Sequence, residues 1–357
     1  MDTALIGEGL RIARLSLWRK LRGWKRYPGD IPQICDGILN DCWNGRYYQA
    51  SAGHFCQFYT RDFGIASPFL EKEKSVATLR YALERFSKRG RVTTSITPSG
   101  RCFDFPVFAP DSLAFLFRAL SVAKDKQLLN EYRGFLQEQI DKWCRIVLDD
   151  DGFVRRNIHF SSMRDHSIRS SSCYDNSMAL LLKEAARSCG FRTGITLTAS
   201  KFIKEFWADD HFKDERDTDT SLSGDANVVP FWLGIIDNKK MARLALHCLD
   251  DAGMTLPVPL AYSPSKAASP KMIKAEMLVP NWEGDTRWMQ LGLMYAAVAK
   301  KNDKQLFEKA KQAITNNIRK NQNILEVFTK EGKPYTSLFY HADEGMLWGA
   351  ALSKSLF

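Results

Sequence analysis

The chain is 357 residues long and 45% apolar, enough for one large domain or two small ones. Its formal net charge of +10 points first to solubility, then to an anionic neighbour, with nucleic acid not among the expected partners. No run of about 18 apolar residues is present, which excludes a membrane-spanning helix. The eight cysteines form no CxxC and no zinc spacing with histidine, so they read as reduced thiols. With no secretory h-region at the N-terminus, a cytoplasmic setting is expected.

Leu10 to Tyr27 is basic and amphipathic, with Leu10, Leu17, Trp18, Leu21 and Trp24 able to share one face. Such a segment packs on its own domain, the preferred reading, or touches an anionic membrane or a partner. Residues 1–30 are therefore set apart from one helical domain over 31–357. Helices are predicted over Ile31–Cys42, Asp62–Leu70, Lys74–Lys88, Pro110–Ala123 and Gln127–Leu148. A short strand pair fits Arg89–Ala109. The next helix follows Ser170–Ser172 and ends at Gly190, with Met178, Leu181, Leu182 and Ala185 on one stripe. Further helices are predicted over Ile195–Ala208, Val228–Ile236, Lys239–Ala252, Asp285–Lys300, Asp303–Arg319 and Asp343–Phe357, with a strand near Ile324–Phe328. A polar crossing joins Ala208 to Val228, and Thr255–Pro280, with five prolines, reads as an extended loop.

There is no alternation of strands with helices, and long loops recur after every second helix. An all-α toroid of helical hairpins, (α/α)6, fits this rhythm, with its loops gathered on one face. A two-domain helical protein split near Asp210–Asp225 is the alternative. The loops pair carboxylates with aromatics and amides: Tyr59-Thr60-Arg61-Asp62-Phe63, Asp111, Asp165-His166, Tyr174-Asp175-Asn176, Asp225, Trp282-Glu283-Gly284-Asp285 and Glu326. Acids bind hydroxyls and move protons, while rings stack on sugar faces.

These residues resemble a family. YDNSMALLL is similar to the WDNS segment of the inverting (α/α)6 glycosidases, a group holding processing α-glucosidase, trehalase and mannosylglycerate hydrolase. NWEGDTRWMQLGLMYAAV resembles their YWRGPVWINxNYLLYxGL helix. ILEVFTKEGKPYTSLFYHADEGMLWGAAL resembles their terminal FxEYYDPxTG block, and YTRDF their first acid–aromatic loop. PDSLAFLFRAL looks like a segment of the related neutral invertases and debranching glucosidases. The resemblance covers about Ala50 to the C-terminus. It implies Asp175 as general acid, Glu326 as general base, Asp62 gripping sugar hydroxyls and Trp282 walling the subsite. Asp165, ten residues upstream of Asp175, is the rival acid. Tyr59, Arg61, Phe63, Asp111, Tyr174, Asn176, Asp225, Glu283, Asp285 and His341 complete the expected substrate contacts.

Glu283 and Asp285 stand where the family has Arg and Pro, which suggests a cationic or amino-bearing sugar. The terminal block lacks the second Tyr and the DPxTG turn. No metal or nucleotide cofactor is expected, since no HExxH, GxGxxG or P-loop occurs. The function implied is hydrolysis of a small α-linked glycoside, with Asp175 protonated and Glu326 ionised. The alternatives are a sugar epimerase using His166 and His341, and a carbohydrate-binding protein without turnover.

Overall fold

The computed structural model describes residues 3–216 and 221–357. Part of the predicted polar crossing, residues 217–220, lies outside the described residues. Fourteen α-helices are present among the described residues: α1 (Thr3–Arg22), α2 (Ile31–Cys42), α3 (Thr60–Ala66), α4 (Lys72–Arg89), α5 (Pro110–Ala123), α6 (Lys126–Glu131), α7 (Arg133–Val147), α8 (Cys173–Ser188), α9 (Ala199–Phe206), α10 (Gly224–Trp232), α11 (Lys239–Asp251), α12 (Met289–Asn302), α13 (Lys304–Asn321) and α14 (Leu347–Leu356).

Six of them close a ring. α3 packs on α5, α5 on α8, α8 on α10, α10 on α12, α12 on α14, and α14 returns to α3. Six of the remaining eight, α2, α4, α7, α9, α11 and α13, lie against members of this ring. The sequences explain which helices go where. In α12, Met289 through Ala296 are all buried, and α8 is buried from Cys173 to Leu182. A helix that is covered on every side belongs inside. α2 instead buries one stripe, Ile31, Ile34, Cys35, Ile38 and Cys42, and faces solvent elsewhere. Its start is set by a capping box between Asp30 and Gln33.

The boundaries differ from expectation in three instructive places. The long helix expected over Gln127–Leu148 is two helices, broken at Tyr132, whose φ of −105° and ψ of 13° leave the helical region. The helix expected from Asp285 starts later, because β6 (Arg287–Trp288) pairs with β7 (Val327–Phe328) first. α9 is also shorter than Ile195–Ala208, since β4 (Trp207–Ala208) turns back on β5 (His211–Phe212). The strand pair expected in Arg89–Ala109 is present as β2 (Ser95–Ile96) and β3 (Cys102–Phe103), with β1 (Phe58–Tyr59) on its edge.

α1 rests on the toroid through its polar side. Arg11 bonds His54 O at 2.9 Å and Gln57 Oε1 at 2.5 Å, Ser16 Oγ accepts from His341 N at 2.6 Å, and Arg19 pairs with Glu344. The preferred docking on its own domain thus holds, but not through the expected face. Leu10, Leu17, Trp18 and Leu21 point to solvent, and only Trp24 packs inward, stacked on His341 at 4.5 Å.

Candidate active site

The inner helices carry acids in their first turns: Asp62 in α3, Asp111 in α5, Asp175 in α8 and Asp225 in α10. Negative charge is favoured there by the helix dipole. The four do not share one environment. Residues 160–172 fold over the ring and separate them.

That segment is pinned from below by charge. Arg164 donates to Asp225 Oδ1 and Arg169 to Asp225 Oδ2, both at 2.8 Å, and Arg169 also reaches Asp214 Oδ1 at 3.1 Å. Burial alone would raise the Asp225 carboxyl, but the two guanidinium groups hold it at about 2. Asp225 is therefore an anchor for the segment, and it lies outside the pocket described below. Asp175 is covered too. It accepts from Ser172 Oγ at 2.6 Å and from Ser162 Oγ, and burial raises its pKa. Ser172, not Asp175, caps α8. Asn176 clips Val154 N at 2.9 Å and Ser172 O at 2.8 Å. Asp111 accepts from Arg61 at 3.2 Å and Tyr174 Oη at 2.9 Å, so this trio sets Arg61 from beneath. Phe63 packs in the core on Phe58. These side chains support the site and do not line it.

What remains open is a pocket of about 310 Å³, in the size range of small-molecule sites. Asp62, Asp165, Glu283 and Glu326 line it, with Tyr59, Arg61 and His166. Its aromatic walls are Phe55, Trp282, Trp288, Phe339, Tyr340 and Trp348. Asp285 and His341, two expected contacts, are not in the lining. Asp285 is bonded to Asn281 at 2.6 Å and His341 is stacked on Trp24.

Glu326 is delivered by the β6–β7 pairing, which sets Trp288 opposite Val327. Its Oε2 accepts from Tyr340 Oη at 2.6 Å and from Asp343 N at 3.3 Å. Burial, with Asp343 and Asp62 nearby, pushes its carboxyl up to about 8. Burial thus works against the ionised state expected of Glu326, while the Tyr340 and Asp343 donors favour it. Asp62 is pushed up to about 7 by burial, with Arg61 opposing and Asp165 adding. Behind Tyr340, His54 Nε2 lies 3.0 Å from Oη, and His54 Nδ1 lies 3.1 Å from Asp343 Oδ1. Burial holds the His54 ring at about 4, so it is neutral.

Asp165 comes from the covering segment. Ser161 Oγ lies 2.7 Å from its Oδ1, and Arg61 lies 3.6 Å away. Glu283 builds the turn that presents it. Glu283 Oε1 accepts from Asp165 N at 2.5 Å, and Oε2 accepts from His166 N, Ser167 N and Ser167 Oγ at 2.9 to 3.0 Å. Its charge is spent on peptide N–H groups. The cationic sugar suggested by Glu283 loses its main argument.

No family model matches the chain, and no curated protein matches it in sequence. Solved structures do. The rhamnosidase from Klebsiella oxytoca with rhamnose bound superposes at TM-score 0.62 and 12% identity over 91% of this chain. The chain spans 62% of that protein's length. The GH63 mannosylglycerate hydrolase from Thermus thermophilus in complex with Tris gives 0.61 and 10%, over 91% of this chain and 99% of that one. A glycosidase variant in complex with glucose gives 0.61 and 12%, over 100% and 98%. This chain has the fold of the (α/α)6-toroid glycosidases.

Within this toroid several pocket residues carried no signal in the sequence. Gln290 lines the pocket with an Nε2 that has no protein partner, a donor ready for a hydroxyl. Tyr340 also lines it, and its only signal is an aromatic inside the terminal block; His54 backs Tyr340 and does not line the pocket. Of the two histidines needed for epimerase chemistry, His166 lines the pocket and His341 does not. His166 Nδ1 is 2.7 Å from Glu276; burial opposes its charge, but Glu276, Glu283 and Asp165 raise its pKa. Among the described residues one trio could hold a metal ion, Asp210, His211 and Cys248, and it lies outside the pocket.

Proposed function

We propose that the chain is an inverting glycoside hydrolase in which Asp165 donates a proton to the glycosidic oxygen and Glu326 takes one from the attacking water. The observation that carries this is that Asp165 and Glu326 line one aromatic-walled pocket, whereas Asp175 is sealed behind Ser162 and Ser172. The acid role implied for Asp175 by the resemblance therefore passes to its rival. Glu326 suits a base because both donors at its Oε2, a hydroxyl and a peptide N–H, stabilise the carboxylate form. A base with a pKa of about 8 is strong and is formed within the working range. Asp62 and Gln290 bind sugar hydroxyls, and Trp282 walls the subsite.

The fold neighbours include proteins described with rhamnose, with glucose and as a mannosylglycerate hydrolase. α-Rhamnosides, α-glucosides and α-mannosides therefore form the test panel. Release of sugar with inverted configuration, followed by NMR, supports the reading. Turnover that survives both Asp165→Asn and Glu326→Gln refutes it.

A further inference from the structure

We propose that the mouth of this pocket is a docking surface for an anionic lipid bilayer, with the outer face of α1 lying in the headgroup region. Three segments meet there. α1 lines the pocket with Gly9, Ile12 and Ala13, the helical turn Lys274–Leu278 with Leu278, and the loop at 337–339 with Phe339. They are tied together: Lys20 Nζ donates to Ser337 O, and Ser337 Oγ to Leu278 O, each at 3.2 Å.

The apolar surface of the protein is concentrated on these segments. Among the described residues, fifteen large apolar side chains are strongly exposed, and nine of them lie here. Leu10 is 70% exposed, Leu21 88%, Met277 76% and Leu338 72%. At roughly 100° per residue, Ile6, Leu10, Leu17 and Leu21 fall within about 60° of arc on α1. That arc is opposite the side on which Arg11, Ser16 and Arg19 hold the helix down. A clustered apolar patch of this kind marks an interaction site.

Charge selects the occupant. Arg14, Lys20 and Arg22 are exposed on α1, and Lys271 and Lys274 are exposed on the adjoining segment. Among the described residues, the acids here, Glu8 and Glu276, are already paired with Arg11 and His166. A second copy of the chain would set like charge against like. An apolar stripe bordered by Arg and Lys suits anionic lipid, where chains bury Leu and phosphates meet the basic groups. The pocket then opens beside the bilayer. Resting on the glycosidase reading, its substrate is a sugar carried on a lipid.

The test is sedimentation of the full chain with vesicles of phosphatidylcholine, with and without phosphatidylglycerol. The expected result is binding to the anionic vesicles alone, weakened by salt. It should fall at least about tenfold in Leu17→Glu/Leu21→Glu and in Leu338→Glu, all exposed positions, with unchanged Tm. No binding to anionic vesicles at low salt overturns the proposal, as does binding that these variants leave intact. A dimer in light scattering that Leu21→Glu dissociates assigns the surface to a second copy and also overturns it. Turnover of soluble glycosides is read separately. Turnover without vesicle binding keeps the hydrolase and sinks the docking surface; vesicle binding with no turnover of any glycoside, soluble or lipid-borne, does the reverse.

Discussion

Tyr340 donates its hydroxyl proton to Glu326 Oε2 at 2.6 Å, from a ring set edge-on against both Trp282 and His54. This bond favours the ionised carboxylate, while burial favours the protonated one and wins, at about 8. As a base Glu326 works only when ionised. The reaction also needs Asp165 protonated, so the expected outcome is a bell-shaped kcat/KM profile with one limb near pH 8. A profile with no limb near that pH would remove Glu326 from the reaction. Tyr340→Phe removes a donor to the charged form, so the pKa climbs and that limb moves to higher pH.

The same group costs stability. Its folded pKa lies above the unfolded value of about 4.3, so above that pH the unfolded chain ionises freely and the folded one does not. The cost grows until about pH 8, where Glu326 ionises in the folded state as well. Glu326→Gln should therefore raise Tm at pH 8, leave it nearly unchanged at pH 4, and abolish turnover. Calorimetry at the two pH values checks this.

Asp165 and Asp175 should separate cleanly on mutation. Asp165→Asn is expected to lower kcat by about 10²- to 10⁴-fold with an unchanged denaturation midpoint. Asp175→Ala strips Ser162 and Ser172 of their acceptor and should cost about 1–3 kcal/mol in urea unfolding. The opposite pattern would return the acid role to Asp175.

Glu283 acts on the reaction through Asp165. Glu283→Ala leaves the N–H groups of Asp165, His166 and Ser167 without their acceptor. The midpoint should fall, by about 3 kcal/mol or more, and kcat should fall with it. Glu283→Gln keeps one acceptor oxygen and should recover part of both. A pure loss of substrate affinity in Glu283→Gln, with kcat intact, would make it a substrate contact instead.

The Asp225 anchor has a pH signature of the opposite sign. Its folded pKa, about 2, lies below the unfolded value, so its stabilisation is complete above about pH 4 and is lost as pH falls towards 2. Asp225→Asn leaves Arg164 and Arg169 without their shared counter-charge and should cost about 3–5 kcal/mol at neutral pH. The gap between wild type and variant should narrow on acidification, measured as unfolding midpoints across that window.

Helix positions were legible because their signals are local. Asp30 and Gln33 cap α2, Pro110 opens α5, and Gly90 and Gly190 leave their helices at φ of 77°. The inner helices α3, α5, α8 and α10 were marked as well, by acids in their first turns. The break at Tyr132 and the late start of α12 were not legible. The first is marked only by Gly134, a single residue in the first turn of α7, and the second depends on β7, about forty residues away.

The sequence by itself determined the ring of hairpins and the set of acids from which a site can be built, because periodicity and capping act over a few residues. Only the tertiary structure decided which acids face the pocket. Arg164 and Arg169 pull the segment at 160–172 down onto Asp225, and that single long-range event covers Asp175 while it exposes Asp165. Tertiary contacts also turned α1 over: ion pairs and backbone acceptors on the toroid hold its polar side, and so its leucines face outward. Both outcomes rest on desolvated charges finding partners distant in the chain, and no local pattern encodes such pairs.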